Sequence, residues 1–218
     1  MKRLLLLAVV AAAVAAPAAR ATNECRGLMV CVPVAGPWVL TSSSTRVEYD
    51  LVCPKNYIVA GLDAELSARG IDIGFVGGIG SPVNPGITTQ RDAVFLGRLV
   101  RGTAAAPSFR PHVGCVHASG GGQRVPTAAH AFPPAKPTAR TVKQVTATRN
   151  RVVSARCAKS ERLAGATHAI GFYGNTPPTA AQARGVHVTQ RVRNGVATYT
   201  ITSHVKAVVQ LDLVCVPR

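Results

Sequence analysis

Two groups of residues in this chain have the types and spacing to do chemistry, and they carry opposite charge. The first is basic: Arg149, Arg151, Arg156, Arg191, Arg193 and Lys206. Nineteen of the twenty-five basic residues are arginine, whose planar guanidinium grips phosphate, sulfate and carboxylate through two parallel hydrogen bonds. The second group is acidic: Asp63, Glu65, Asp72 and Asp92. Asp63 and Glu65 stand two apart, which puts them on one face of a strand. Paired carboxylates divide the acid and base roles of glycoside cleavage, or hold calcium together with nearby carbonyls.

Other chemistry is excluded by spacing. There is no Gly-x-Ser-x-Gly elbow, no His-Glu-x-x-His and no phosphate loop with lysine. The glycine-rich run from Phe75 to Gly80 lacks a lysine and a following helix, so it reads as a turn. His112, Cys115 and His117 look like ligands, but residues three apart on a strand point to opposite faces. No cofactor and no metal is expected. Six cysteines without a Cys-x-x-Cys pair indicate three disulfides in an oxidising compartment.

The charge is unevenly placed. Residues 22–92 hold five basic and seven acidic residues, whereas residues 93–218 hold seventeen basic and two acidic. Such asymmetry favours contact with polyanions, although net charge alone speaks to solubility and non-specific binding. Aromatic residues make up only 5% of the chain, which disfavours recognition by stacking on bases or sugars, and no nucleic-acid motif is present.

The elements that must position these side chains are strands. Val47-Glu48-Tyr49-Asp50-Leu51-Val52-Cys53 returns as Val209-Gln210-Leu211-Asp212-Leu213-Val214-Cys215, with five of seven positions identical. At period two, each copy turns apolar residues and the cysteine to one face and its aspartate to the other, wet face. A glycine follows both Cys53 and Cys157 at an interval of eight, and the spans Cys53 to Cys115 and Cys157 to Cys215 are 62 and 58 residues. The pattern predicts one unit used twice, with disulfides Cys25–Cys31, Cys53–Cys115 and Cys157–Cys215.

Asn194-Gly195 between Val186–Arg193 and Val196–Ser203 is the preferred pair of a two-residue hairpin turn. It sets Val188 opposite Ile201 and Val192 opposite Ala197. His187, Thr189, Arg191 and Arg193 then share the outer face with Thr202, Thr200, Thr198 and Val196. In the first half, Val94 to Val100 and the turn at Arg101-Gly102 take the matching place. Trp38, the only tryptophan, caps the first core, and Ala180 to Arg184 is the one short helix expected.

Lys2 and Arg3, the apolar run Leu4 to Ala16, and Ala19-Arg20-Ala21 have the order of an export signal cut before Thr22. No later run is long enough to span a membrane. The expected architecture is all-β: a signal peptide at 1–21, two related disulfide-closed β-sandwich-like units at 22–116 and 141–218, and a Gly/Pro-rich linker at 117–140. The expected function is that of an exported, non-enzymatic binding or surface-structural protein contacting an anionic cell-surface polymer. The alternative is an exported hydrolase using the first-unit carboxylates.

Overall fold

Alternation of apolar and polar residues makes almost every described segment a strand. The computed structural model describes residues 22–28, 30–77, 91–102, 104–118 and 139–218. The expected signal at 1–21, residues 78–90 with the end of the glycine-rich run, and most of the expected linker lie outside them. In the first half the strands are β1 (Val32–Ala35), β2 (Trp38–Leu40), β3 (Val47–Val52), β4 (Tyr57–Leu66), β5 (Ile71–Gly77), β6 (Asp92–Leu99) and β7 (Ser108–His117). In the second they are β8 (Ala139–Ala147), β9 (Arg151–Arg156), β10 (Glu161–Phe172), β11 (Val186–Arg193), β12 (Val196–Ser203) and β13 (Ala207–Pro217). A five-residue helix, α1 (Ala180–Arg184), starts on a capping box made by Thr179 and Gln182. The fold is all-β.

The halves match in their pairing. Three-stranded sheets of order β3-β6-β5 and β9-β12-β11 correspond, as do the antiparallel pairs β4·β7 and β10·β13. Both pairs carry a register shift next to glycine, at Val59/Gly61 and at Leu163/Gly165. These are the glycines eight residues after Cys53 and Cys157. The disulfides are Cys25–Cys31, Cys53–Cys115 and Cys157–Cys215, with Cα separations of 5.6, 5.8 and 5.7 Å. Such bonds belong to an oxidising, extracytoplasmic environment, and no helix among the described residues is long and apolar enough to cross a membrane.

One seven-stranded sheet runs through both halves. Its order is β1-β7-β2-β10-β13-β8, with β4 on the other side of β7. The three residues of β2 pair with Phe109 and Ser108 of β7 and with Gly171 and Phe172 of β10. A chain connection is therefore not the only link between the halves. The ends of the expected linker also belong to strands, His117 to β7 and residues 139–140 to β8. Trp38 is buried in this joining strand.

Each small sheet packs on this shared sheet. Tyr49, Leu51, Ala93 and Phe95 meet Val39, Val59, Phe109, Val113 and Cys115 in one core. Val153, Val188, Ala197, Tyr199 and Ile201 meet Val145, Val209, Leu211, Leu213 and Cys215 in the other.

Two expectations are corrected. The similar heptads lie on non-equivalent strands, β3 corresponding to β9 and β13 to β7, and their aspartates are not on a wet face, since Asp50 is 4% and Asp212 is 2% exposed. A two-residue period separates the faces of a strand but does not say whether a further layer covers the outer one. Arg101-Gly102 follows β6 on the way to β7, so it matches the β12-to-β13 connection and not the Asn194-Gly195 turn.

The first small sheet approaches the shared sheet closely at Gly97, where an added Cβ would collide with the Phe109 ring. At Gly74 on neighbouring β5 the nearest atom would be Leu96 Cβ at 3.8 Å. Gly97→Ala should therefore lower stability by about 2 kcal/mol through overpacking, and Gly74→Ala should be nearly neutral. Chemical denaturation of both variants checks this, and equal effects would contradict the packing.

Candidate functional site

The basic face is built on β11-β12-β9. Asn194 and Gly195 both take positive φ, 52° and 72°, the conformation a two-residue type I′ turn needs. The turn locks Arg193 opposite Val196 and Arg191 opposite Thr198, and β9 extends these rows with Arg156 opposite Val196 and Ser154 opposite Thr198. The inner face of the same strands buries Val153, Val186, Val188, Ala197, Tyr199 and Ile201. Arg156, Arg191 and Arg193 therefore lie together at the hairpin end of one outward face, all exposed. Hydroxyls share this face with Val152, Val196 and His187: Ser154 Oγ and Thr198 Oγ1 are 3.2 Å apart, and Thr189, Thr200 and Thr202 follow along the strands. No acid occurs in β9, β11 or β12, and none of the three guanidiniums has a carboxylate partner among the described residues.

Arg149, Arg151 and Lys206 do not join them. Arg149 lies in the β8–β9 turn and Lys206 in the β12–β13 turn, at the opposite end of the sheet. Arg151 opposes Ile201, which puts it in the inward register at the strand mouth, where its Nη1 donates to Thr146 O at 3.4 Å. It is five residues from Arg156, about 16 Å along the strand. The six basic residues thus form two groups of three.

The first-half carboxylates do not form one site. Asp63 and Glu65 do share a face of β4, but the N-terminal segment occupies it: Asn23 N donates to Asp63 Oδ2 at 2.6 Å, and Glu65 Oε1 lies 2.9 Å from His112 Nε2. Asp72, on β5, meets Arg46 at 3.3 Å on the surface. Asp92 begins β6, near enough to Asp50 to raise its pKa.

A polar seam joins the halves. Gln210 on β13 clamps the backbone of Asp50 on β3: Asp50 N donates to Gln210 Oε1 at 2.5 Å, and Gln210 Nε2 donates to Asp50 O at 2.8 Å. Arg140 Nη1 donates to Glu48 Oε2 at 2.5 Å and to Asp212 Oδ2. Burial alone would weaken the Arg140 charge, but Glu48 and Asp212 outweigh it and hold the guanidinium charged. Burial, then the nearby Asp92 and Asp212, pushes Asp50 up to about 7. Burial also raises Asp212, against the pull of Arg140.

A cavity of about 350 Å³ opens beside β10, lined by Thr41, Arg46, Thr167, His168 and Gln190 among others. Gln190 Nε2 donates to Ala166 O at 2.7 Å, which turns its Oε1 toward His168 Nδ1 at 3.3 Å and makes that nitrogen the donor. Burial lowers the His168 pKa, the Gln190 contact opposes this, and His187 adds to the lowering. The imidazole is thus neutral at physiological pH. Cys157, Glu161 and Cys215 stand at metal-ligand spacing, but the two sulfurs are bonded to each other and offer no thiolate.

Sequence reasoning missed Asp50, Asp212, Arg140, Gln210 and His168. The one available signal was the Asp-Leu-Val-Cys shared by the two heptads, whose strands are joined across this seam. Compared with protein-family models, curated proteins and solved structures, the chain gives no significant match.

Asp50 fixes a sign for the pH dependence of stability. Its folded pKa lies above the unfolded value, so the stability it contributes is fully present below about pH 4 and lost as pH rises through about 7. At 1.36 kcal/mol per unit the ceiling is about 4 kcal/mol. Asp50→Asn should match the parent in melting temperature near pH 4 and exceed it at pH 8. Thermal scans between these limits check this, and a variant less stable at pH 8 would contradict it.

Proposed function

We propose that this is an exported, non-enzymatic binding or surface-structural protein whose second half contacts an anionic polymer. Residues 1–21 leave as a signal peptide, and the matched pairing of the halves supports reading them as two related units, 22–116 and 141–218. The observation that carries the binding role is the corner formed by Arg156, Arg191 and Arg193. Three guanidiniums stand on a three-stranded face without a carboxylate among its strands, with Val196 between Arg193 and Arg156 and with Thr198 and Ser154 in the Arg191 row. A phosphate, sulfate or carboxylate polymer lying there meets charges that need little ordering on binding, and gains bidentate contacts from each arginine. Arg149, Arg151 and Lys206, at the far end of the sheet, extend the attraction for a long chain without belonging to the same contact.

Affinity for a soluble polyanion such as dextran sulfate should fall linearly with salt on logarithmic axes, because neutralised charges release counterions. The double variant Arg191→Ala, Arg193→Ala should bind about tenfold more weakly or worse and flatten that slope by about two, with an unchanged melting temperature because exposed charges contribute little stability. Arg98→Ala with Arg101→Ala, in the less basic half, should cost less. Calorimetric titration at several salt concentrations checks this. Equal losses from both pairs would mean diffuse attraction without a site, and no loss from either would end the proposal.

A further inference from the structure

The N-terminal segment ends in a charged cluster that lacks one partner. The Glu24 carbonyl is pressed against Gly61 of β4 and Gly114 of β7, where any added Cβ would collide with it, and the Cys25–Cys31 bond closes the loop behind it. The segment is therefore docked in one place. Its Glu24 side chain is only 5% exposed. Around it stand Asp63 and Glu65 from β4, and Arg110 and His112 from β7. His112 Nδ1 is 3.7 Å from Glu24 Oε1, and Arg110 Nη1 is 3.8 Å from Glu65 Oε1. His112 Nε2 is close to Glu65 but not aligned as a hydrogen bond. Three carboxylates thus face one guanidinium and one imidazole, and the buried Oε2 of Glu24 has no donor among the described residues. An uncompensated buried carboxylate oxygen is costly unless a cation or donor reaches it.

One residue of the segment already touches this carboxylate. The Thr22 hydroxyl donates to Glu24 Oε1 at 3.0 Å, and covalent geometry keeps an amino nitrogen within about 4 Å of its own side-chain oxygen. The next nitrogen along, Asn23 N, already donates to Asp63 Oδ2 at 2.6 Å. In an uncut chain the Thr22 nitrogen is a neutral amide with a single N–H. As a chain terminus it is an ammonium with three donors and a positive charge.

We propose that cleavage of the Ala21–Thr22 bond creates the missing partner: the α-ammonium of Thr22 binds the Glu24 and Asp63 carboxylates and locks the N-terminal segment onto β4 and β7. An export peptidase adds water across the bond, Ala21 leaves with the carboxylate, and the Thr22 amine takes up a proton. The inference rests on the export reading proposed above.

The test has two arms that fail separately. N-terminal sequencing of protein exported from cells expressing the full chain should begin at Thr22; another start overturns the cleavage site and with it the lock. Independently, a chain beginning at Thr22, released from a cleavable fusion, is compared with the same chain acetylated at its terminus. At pH 7 the free-amine chain should melt at least about 3 °C higher, a modest shift for a protein of this size. The gap should close near pH 10, where the amine is neutral, and should shrink in Glu24→Gln, which leaves only Asp63 to the amine. Equal melting temperatures at pH 7 would overturn the lock, as would a gap that persists at pH 10. If Glu24→Gln does not fold, the acetylated pair still decides the question.

Discussion

The clamp between Gln210 and Asp50 is the contact on which the joining of the halves depends. β3 is an edge strand: Asp50 stands opposite Val94 of β6, yet its own N–H and C=O go to the Gln210 amide. They therefore point away from β6, along the free edge. An open edge would leave these groups without partners when buried, and would invite pairing with another chain when exposed. A side-chain amide offers one acceptor and two donors, so a single glutamine satisfies both backbone groups. Buried polar contacts of this kind fix register as well as affinity, because any slip strands several groups at once. Together with the two-residue ladders on either side of β2, the clamp holds each disulfide-closed half in one relation to the other.

The same seam explains why the basic face has no counterion. Glu48 and Asp212 are committed to Arg140, Glu65 to His112 and Arg110, and Asp72 to Arg46. Asp63 takes Asn23 N and Glu161 takes Ala158 N. Glu24 lies beside His112, and Asp50 and Asp92 stand near each other beside the seam. With nine acids in the chain, none remains for β9, β11 and β12. The surface charge of the second half follows from how the interior and the N-terminus use the carboxylates, and not only from the number of arginines.

What could be read from sequence was local or covalent. The Asn194-Gly195 turn dictates its own register, so the partners of Arg191 and Arg193 followed from two residues. The cysteine spacings, with the glycine eight residues after Cys53 and Cys157, marked the corresponding bridges. Legibility ended where a second layer decides. Alternation put Asp50 and Asp212 on a wet face because a strand pattern records only its own two sides. β2, at three residues, is too short to leave a period at all. Arg151 was grouped with Arg156 by nearness in the chain, although an odd separation on a strand places them on opposite faces.

The disulfides and the seam act on different states of the chain, which is why both are needed. Closing loops of 62 and 58 residues raises the free energy of the unfolded ensemble by about 4 kcal/mol each in the chain-entropy model. That gain is indifferent to how the halves sit together. The clamp, the Arg140 contacts and β2 exist only when the halves are docked, so they select one arrangement from those the bridges allow. The arginine face on β11-β12-β9 is held in place because Tyr199 and Ile201 anchor its underside in the second core. The Tyr199 hydroxyl donates to Thr167 O at 3.2 Å on β10, which ties the small sheet to the strand that also meets β2. The geometry of the charged surface is thus set within the second half, while Glu48, Asp50 and Asp212 are drawn away from it to the joint.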